Sequence, residues 1–115
     1  MAWATDARNK PMARFDVYVH PDAVERKRIP YLLDVQNTYL AGLSTTVVIP
    51  LCKPSTMPLP VRDLHPTLNV QGTEVIMNTS DLGPVPSGML RAPVTQLTSQ
   101  QSTIQTALDT LFGAY

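Results

Sequence analysis

The chain has no net charge, a single cysteine and no long apolar run. Nine Lys and Arg residues balance nine Asp and Glu residues among 115 residues. This balance argues against a dedicated nucleic-acid-binding protein, which usually carries a positive excess that neutralises phosphates. The lone Cys52 cannot form an internal disulfide, which excludes a small secreted fold held by a disulfide framework. No apolar stretch approaches the roughly 20 residues of a membrane-spanning helix, so we expect no membrane partner.

The amino-terminal segment also lacks the apolar core of a signal peptide. Residues 1–13 read MAWATDARNKPMA and are expected to form a flexible arm before a single domain at residues 14–115. Met12 is an alternative start for the natural protein. The missing export signal and the single cysteine both favour a cytoplasmic location.

Patterns typical of catalytic and metal sites are missing from the sequence. His20, Cys52 and His65 lack the close-pair spacing of zinc ligands, and the five glycines are scattered instead of forming a phosphate-binding loop. Cys52 ends an apolar run, which favours a buried small hydrophobic side chain over a nucleophile. The basic run at 26–28 is interpreted as a solvated loop. The residues therefore predict no metal, no cofactor and no catalytic residue, and indicate a binding protein instead of an enzyme.

Proline, in contrast, is abundant, and its distribution divides the chain. Eleven prolines lie between positions 11 and 93, and none follows. Because proline breaks helix interiors, residues 11–93 are expected to form short strands and turns. Alternating or β-branched segments predict strands over 15–20, 31–36, 46–52, 68–71 and 73–79. Pro50 predicts that the third of these is an edge strand or contains a bulge, and Gln71-Gly72 predicts a hairpin turn.

A helix is predicted after the last proline. Residues 99–112 contain neither Pro nor Gly. Their apolar side chains recur with helical spacing at Ile104, Ala107, Leu108, Leu111 and Phe112. We expect Thr98 or Ser99 to cap the start and Gly113 to end the helix. The fold class is therefore mainly β with some α, an antiparallel sheet followed by one C-terminal helix.

Several segments, in this order and at this spacing, resemble the CcdB family of bacterial toxins. They are Phe15-Asp-Val-Tyr18, Leu33-Asp-Val-Gln36, Val48-Ile-Pro-Leu51, Leu64-His-Pro66, Met77-Asn-Thr-Ser-Asp81, Val85-Pro86 and the terminal Leu111-Phe112. The resemblance extends from about residue 13 to residue 115. It implies a twisted antiparallel sheet with a smaller second sheet and one C-terminal helix, the barrel-like fold shared with the Kid and MazF toxins.

The resemblance also implies a function that works through protein contacts. Members of this family are symmetric homodimers that poison DNA gyrase, a type II topoisomerase, by binding its A subunit and trapping cleaved DNA. An antitoxin encoded alongside neutralises them, and such type II toxin–antitoxin modules serve plasmid maintenance. By this resemblance the protein needs no cofactor and makes no direct sequence-specific contact with nucleic acid.

The resemblance places the poisoning site at the end of the chain. The family carries a Trp-Gly-Ile tripeptide after the helix, and the matching residues here are Gly113, Ala114 and Tyr115. None of the three is the family residue. The family tryptophan stacks on an arginine of gyrase, and Tyr115 could also stack on a cation, but from a different position. Helix termination is an alternative explanation of Gly113, and an exposed, frayed terminus is an alternative for Tyr115.

Supporting gyrase contacts are implied at five further positions. Phe15 and Tyr18 match the family residues in the first strand, Tyr39 and Leu40 replace two isoleucines, and Asp109 replaces an asparagine. A core position explains Phe15 equally well. Because Tyr18 is expected on the opposite face of the strand, it is the better candidate for a gyrase contact.

Three functions stay open at this point. The first is a gyrase-poisoning toxin. The second is an endoribonuclease of the Kid and MazF type on the same fold, against which the neutral charge and the missing motifs argue. The third is a degenerate or retargeted member that still binds its antitoxin without poisoning gyrase.

Overall fold

The computed structural model describes residues 12–113, so most of the predicted arm at 1–13 lies outside it, as do Ala114 and Tyr115. Within this range the chain forms seven strands and one α-helix. The strands are Asp16–Val19 (β1), Tyr31–Asp34 (β2), Thr45–Cys52 (β3), Thr67–Val70 (β4), Thr73–Met77 (β5), Gly83–Pro86 (β6) and Thr95–Gln96 (β7), and the helix is Gln101–Phe112 (α1).

The strands form one antiparallel sheet in the order β4-β5-β3-β2-β1-β7, and β6 pairs with the first half of β3. The smaller second sheet implied by the resemblance is thus continuous with the main sheet through β3. The sheet curves until its two outer strands approach each other, and Gln71 donates a hydrogen bond from Nε2 to the Val94 carbonyl oxygen beside β7 at 3.0 Å. The mainly antiparallel, nearly closed barrel with one C-terminal helix confirms the predicted fold class.

Pro50 lies in a central strand, so the prediction of an edge strand is wrong. β3 pairs with β2 along one side, while its other side pairs with β6 up to Val48 and with β5 from Leu51. Asn78 N–H donates to the Pro50 carbonyl oxygen at 2.9 Å, so the proline nitrogen faces the junction between these two partners. The missing N–H is tolerated there because the ladder on this side of β3 is interrupted between β6 and β5.

The predicted hairpin is confirmed between β4 and β5. Gln71 and Gly72 both have positive φ angles, of 51° and 88°. Two successive left-handed residues are what a tight two-residue hairpin requires.

The helix is confirmed, but its start differs from the prediction. α1 begins at Gln101 after a 3₁₀ turn at Thr98–Gln100, and no side chain caps it. The Thr98 N–H instead donates to Oε1 of Gln96 at 2.7 Å. At the other end Gly113 takes the left-handed conformation with φ 72° and donates to the Asp109 carbonyl oxygen at 2.8 Å, as predicted.

Hydrophobic clusters cover both faces of the sheet. In the larger cluster Val17, Leu33 and Ile49 lie side by side across β1, β2 and β3 and pack under α1 through Ile104, Ala107 and Leu108. The smaller cluster covers the other face. Its buried members are Tyr18, Leu32, Val48 and Leu90, with Met12, Ile29 and Val85 packed around them.

Candidate functional site

A groove of about 510 Å³ runs between the C-terminal half of α1 and the segment that follows β2. We call it the helix–turn groove. Its apolar lining comes from Val35, Val47, Leu82 and Leu108, with Leu40 and Phe112, and its polar lining from Arg14, Gln36, Asn37, Gln105 and Asp109. Two of the sequence-predicted site residues, Leu40 and Asp109, therefore line one groove. Phe112, which also lines it, directly precedes a third predicted residue, Gly113.

The 3₁₀ turn at Thr38–Leu40, called the 38–40 turn below, is held by local side chains. The Asn37 side chain accepts a hydrogen bond from the Tyr39 N–H at 2.9 Å and so caps the turn. Gln36 donates from Nε2 to the Leu40 carbonyl oxygen at 3.1 Å and accepts from the Val47 N–H at 3.0 Å. These bonds tie the turn to β3 and leave the Tyr39 side chain 90% exposed and Leu40 40% exposed.

The last turn of α1 presents apolar surface as well. Phe112 belongs to the predicted apolar stripe of the helix, yet it is 68% exposed, while Ile104, Ala107 and Leu108 are buried. The stripe extends beyond the core, because Leu108 is the last residue of α1 in the main core cluster. Gly113 follows directly, and its left-handed backbone turns the chain away from the helix axis.

The two predicted contact residues of the first strand are buried. Phe15 is 5% exposed and belongs to the main core, as its core interpretation predicted. Tyr18 is 1% exposed, because Leu32, Val48 and Leu90 cover the face of the sheet on which it lies. Burial also raises the pKa of the Tyr18 phenol well above its usual range, and Asp16 and Asp34 add to the effect. Tyr18 therefore offers almost no side-chain surface for a direct partner contact in this protomer.

Arg14 is a site residue that sequence reasoning missed. Its Nε donates to the Val35 carbonyl oxygen at 3.2 Å, and its Nη2 donates to Oε1 of Gln105 at 3.1 Å. Gln105 in turn donates from Nε2 to Oδ1 of Asp109 at 2.9 Å. The sequence signals are a cation just before the first strand and the i, i+4 spacing of Gln105 and Asp109 on the predicted helix. No spacing pattern links Arg14 to residues that follow it by 91 and 95 positions.

A buried carboxyl group lies near Arg14, the first residue of this network. Asp34 is 2% exposed, and burial raises its pKa to about 6. The negative charge of Asp16 contributes to the increase, whereas a hydrogen bond from the Gln36 N–H to Oδ1, at 2.9 Å, and the nearby Arg14 act in the opposite direction. The protonation midpoint of this carboxyl group therefore lies above that of an ordinary aspartate and below neutral pH.

In the described part of the chain, His65 and Ser80 are paired as a catalytic base and nucleophile would be, but the imidazole proton is on the wrong nitrogen for that role. Nε2 of His65 lies 2.9 Å from Oγ of Ser80. However, Nδ1 of His65 accepts a hydrogen bond from the Val61 N–H at 2.8 Å, so a neutral ring carries its proton on Nε2. The imidazole therefore donates to the serine and cannot accept its proton, and the pair serves to fasten the loop before β4.

Within residues 12–113, two side chains of the basic run at 26–28 form local hydrogen bonds or ion pairs. Arg28 pairs with Glu25, and Arg26 donates from Nε to the His20 carbonyl oxygen at 2.9 Å. In the same part of the chain, no three His, Cys, Asp or Glu side chains are grouped as a metal site would require. Nor does that part contain a helix whose length and apolar character would let it cross a membrane.

Comparison with known families gives a match to the family described as "CcdB protein", over residues 14–113. The matched range contains all the described elements, including the 38–40 turn and the helix–turn groove. A search of curated proteins gives no match.

Proposed function

Because the chain belongs to the CcdB family, we propose that it is the toxin of a type II toxin–antitoxin module, that it poisons DNA gyrase by binding the A subunit, and that a cognate antitoxin neutralises it. It acts in the cytoplasm as an inhibitor of an enzyme, is not an enzyme itself and needs no cofactor. Family membership suggests the toxin role in general. The gyrase target and the antitoxin partner are the specific content of this proposal.

The observation that carries the proposal is the exposure of large apolar side chains on the 38–40 turn and at the C-terminal end of α1. Tyr39, Leu40 and Phe112 are 90%, 40% and 68% exposed. Asp109 lines the same groove as Leu40 and Phe112, and Gly113 directly follows Phe112. Protein-binding hot spots are enriched in aromatic side chains that become buried on association. A surface of this composition suits a protein partner better than a small substrate.

The proposal includes a symmetric homodimer. In an isologous dimer the same surface occurs twice around one axis, so two copies of the tail Gly113-Ala114-Tyr115 would enter a symmetric partner together. A sedimentation-velocity experiment at micromolar concentration should give a dimer, and a monomer alone would contradict this part of the proposal.

The altered tail supports a second candidate function. Gly113, Ala114 and Tyr115 replace the family's Trp-Gly-Ile, and the aromatic ring has moved to the last position. A retargeted or degenerate member would keep the fold and the antitoxin while no longer acting on gyrase.

A DNA-cleavage assay separates the two candidates. Supercoiled plasmid, ATP and gyrase from the source organism are incubated with the purified protein, then treated with detergent and protease. We expect linear DNA with the wild-type protein and with Met89→Ala, whose side chain is exposed outside the groove lining, but much less with Tyr39→Ala. Absence of linear DNA while gyrase supercoils normally would favour the retargeted member, and cleavage of single-stranded RNA without gyrase would instead identify an endoribonuclease.

A further inference from the structure

We propose that Arg14 is a positioning residue, which holds the 38–40 turn and the end of α1 in one fixed arrangement so that both can contact the same partner. This inference rests on the proposed function, since it concerns the surface assigned there to gyrase. Arg14 acts through the groups to which it donates hydrogen bonds, which are Thr38, Val35 and Gln105.

The backbone of Arg14 fixes the first part of the arrangement. Its N–H donates to Oγ1 of Thr38 at 2.9 Å, at the beginning of the 38–40 turn. The guanidinium Nε donates to the Val35 carbonyl oxygen at 3.2 Å, at the end of β2. Two bonds from one residue therefore tie the segment that precedes β1 to both ends of the β2-to-turn connection.

The guanidinium also reaches the helix. Nη2 donates to Oε1 of Gln105, which leaves the Gln105 NH₂ group free to donate to Asp109 at 2.9 Å. The amide can do both only in this orientation, because one of its ends accepts and the other donates. Arg14 thus orients the side-chain carboxylate of Asp109 through Gln105. The backbone carbonyl oxygen of the same residue accepts the N–H of Gly113, where the tail starts.

Stacking and backbone geometry restrain Arg14 itself. Its guanidinium carbon lies 4.7 Å from the centroid of the Phe15 ring, a cation–π contact on a side chain of the main core. Phe15 has a positive φ of 76° and donates from its N–H to the Asp34 carbonyl oxygen at 2.7 Å. The base from which the arginine extends is therefore a tight, bonded turn.

Lysine cannot replace arginine in this role. The guanidinium offers separate N–H groups in a planar fork, so it bonds Val35 and Gln105 at the same time and stacks on Phe15. A lysine ammonium is a single point of donation on a flexible stem and cannot hold the two acceptors and the ring contact together. We therefore expect Arg14→Lys to behave like Arg14→Met.

The binding test uses the full chain and the purified gyrase A subunit of the source organism, with affinity measured by calorimetry. Arg14→Met, Arg14→Lys and Gln105→Met should each weaken binding about tenfold, the size of losing one hydrogen bond to a charged group. The double variant Arg14→Met with Gln105→Met should lose no more than Arg14→Met alone. Arg91→Met, an exposed arginine outside the groove, should bind like the wild type. Unchanged affinity in Arg14→Met, or losses that add in the double variant, would overturn the proposal.

Amide hydrogen exchange tests the same proposal without gyrase. Arg14→Met should speed exchange about tenfold at the amides of Leu40 and Ala41 and at that of Gly113. Gln105→Met should affect Gly113 only, since it leaves the bonds between Arg14 and the turn intact. Unaltered exchange in Arg14→Met would mean that any affinity loss comes from a direct contact of Arg14 with gyrase, which contradicts a positioning role. If the wild-type chain does not bind gyrase, the proposed function fails, and the exchange pattern alone then decides whether Arg14 positions the two segments.

Discussion

Single residues of this protein show how burial and charge act together, and Asp34 is the clearest case. Its carboxyl group is 2% exposed and lies near Asp16, and its pKa is raised to about 6. An unfolded chain would give this group a pKa of roughly 3.9. The folded state therefore binds a proton more tightly than the unfolded state does, which destabilises the fold once the pH is high enough to remove that proton.

We predict that Asp34→Asn stabilises the protein near neutral pH. The contribution of Asp34 to the free energy of unfolding is fully favourable below about pH 4. It is lost as the pH rises through about 6 and does not return at higher pH. An asparagine keeps an acceptor for the Gln36 N–H but carries no charge, so the free energy of unfolding should rise by about 1–3 kcal/mol at pH 7.5.

Urea unfolding at pH 7.5 and pH 4.5 checks this expectation. The difference between Asp34→Asn and the wild type should shrink at the lower pH, where the wild-type carboxyl group is protonated. Glu74→Gln, at an exposed position of β5, provides the control and should show little difference at either pH. A gain that is equal at both pH values would show that the charge is not its cause.

At the scale of secondary-structure elements, turns and edges determine how the sheet closes. Strand β6 illustrates this. The Ser87 N–H donates to the Ser44 carbonyl oxygen, and from this bond every second residue of β6 directs its N–H towards β3. By that alternation Pro84 and Pro86 face away from β3, so they remove no ladder bond. They also deprive the outer edge of N–H donors, which disfavours pairing with another chain.

The β4–β5 hairpin gives a second prediction. Gly72 has a φ of 88°, and a Cβ built on it would meet no atom within 4 Å. Gly72→Ala should therefore lower the free energy of unfolding by about 1 kcal/mol through backbone strain alone. Gly88→Ala is a matched control, because its surroundings are equally open and its φ is not in the left-handed region. Equal thermal midpoints for both variants would contradict the backbone explanation.

The connection between the helix and the sheet edge gives a third prediction. The Gln100 side chain accepts from the Asn69 N–H at 3.0 Å and donates to the Asn69 carbonyl oxygen at 2.8 Å, much as a neighbouring strand would. Gln100→Ala should lower the free energy of unfolding by about 1–3 kcal/mol, because it removes the hydrogen-bond partners of the Asn69 N–H and carbonyl oxygen in the outer strand β4. Gln101→Ala, an exposed neighbour on the helix, should change it by less than about 0.5 kcal/mol. Denaturant titration measures both, and similar losses in the two variants would indicate a general effect on the helix start.

At the scale of the whole molecule, the hydrophobic clusters on the two faces of the sheet contain no residue after Leu108 among the residues that the structure describes. The main core joins β1 to β5 with α1, and Ile104, Ala107 and Leu108 supply the helix contacts. Phe112 and Gly113 lie beyond these contacts and are exposed. Removing the residues after Phe112 should therefore leave the packed core in place.

The corresponding prediction concerns toxicity. Deletion of residues 113–115 should abolish killing on induced expression, while sedimentation still gives a dimer and the antitoxin is still bound. The full-length protein should kill unless its antitoxin is co-expressed. Killing by the truncated protein would show that Gly113, Ala114 and Tyr115 are not the poisoning segment.

The sequence by itself determined the elements that depend on local rules. Proline placement separated the strands from the helix, helical spacing located residues 99–112, and the need for a left-handed residue identified Gly72 and Gly113. These features follow from backbone sterics and periodicity, which act over a few neighbouring residues. The ordered set of short segments was likewise enough to indicate the family that matches residues 14–113.

Only the tertiary structure decided which surfaces are covered and which distant groups meet. Alternation along β1 put Tyr18 opposite Val17, but Leu90, 72 positions later, buries its ring. The helical stripe included Phe112, yet the buried core does not extend as far as this residue. Arg14, Gln105 and Asp109 form one chain of hydrogen bonds because the sheet brings the start of β1 beneath α1. Burial and long-range hydrogen bonds depend on how elements pack, and no local pattern along the chain encodes that packing.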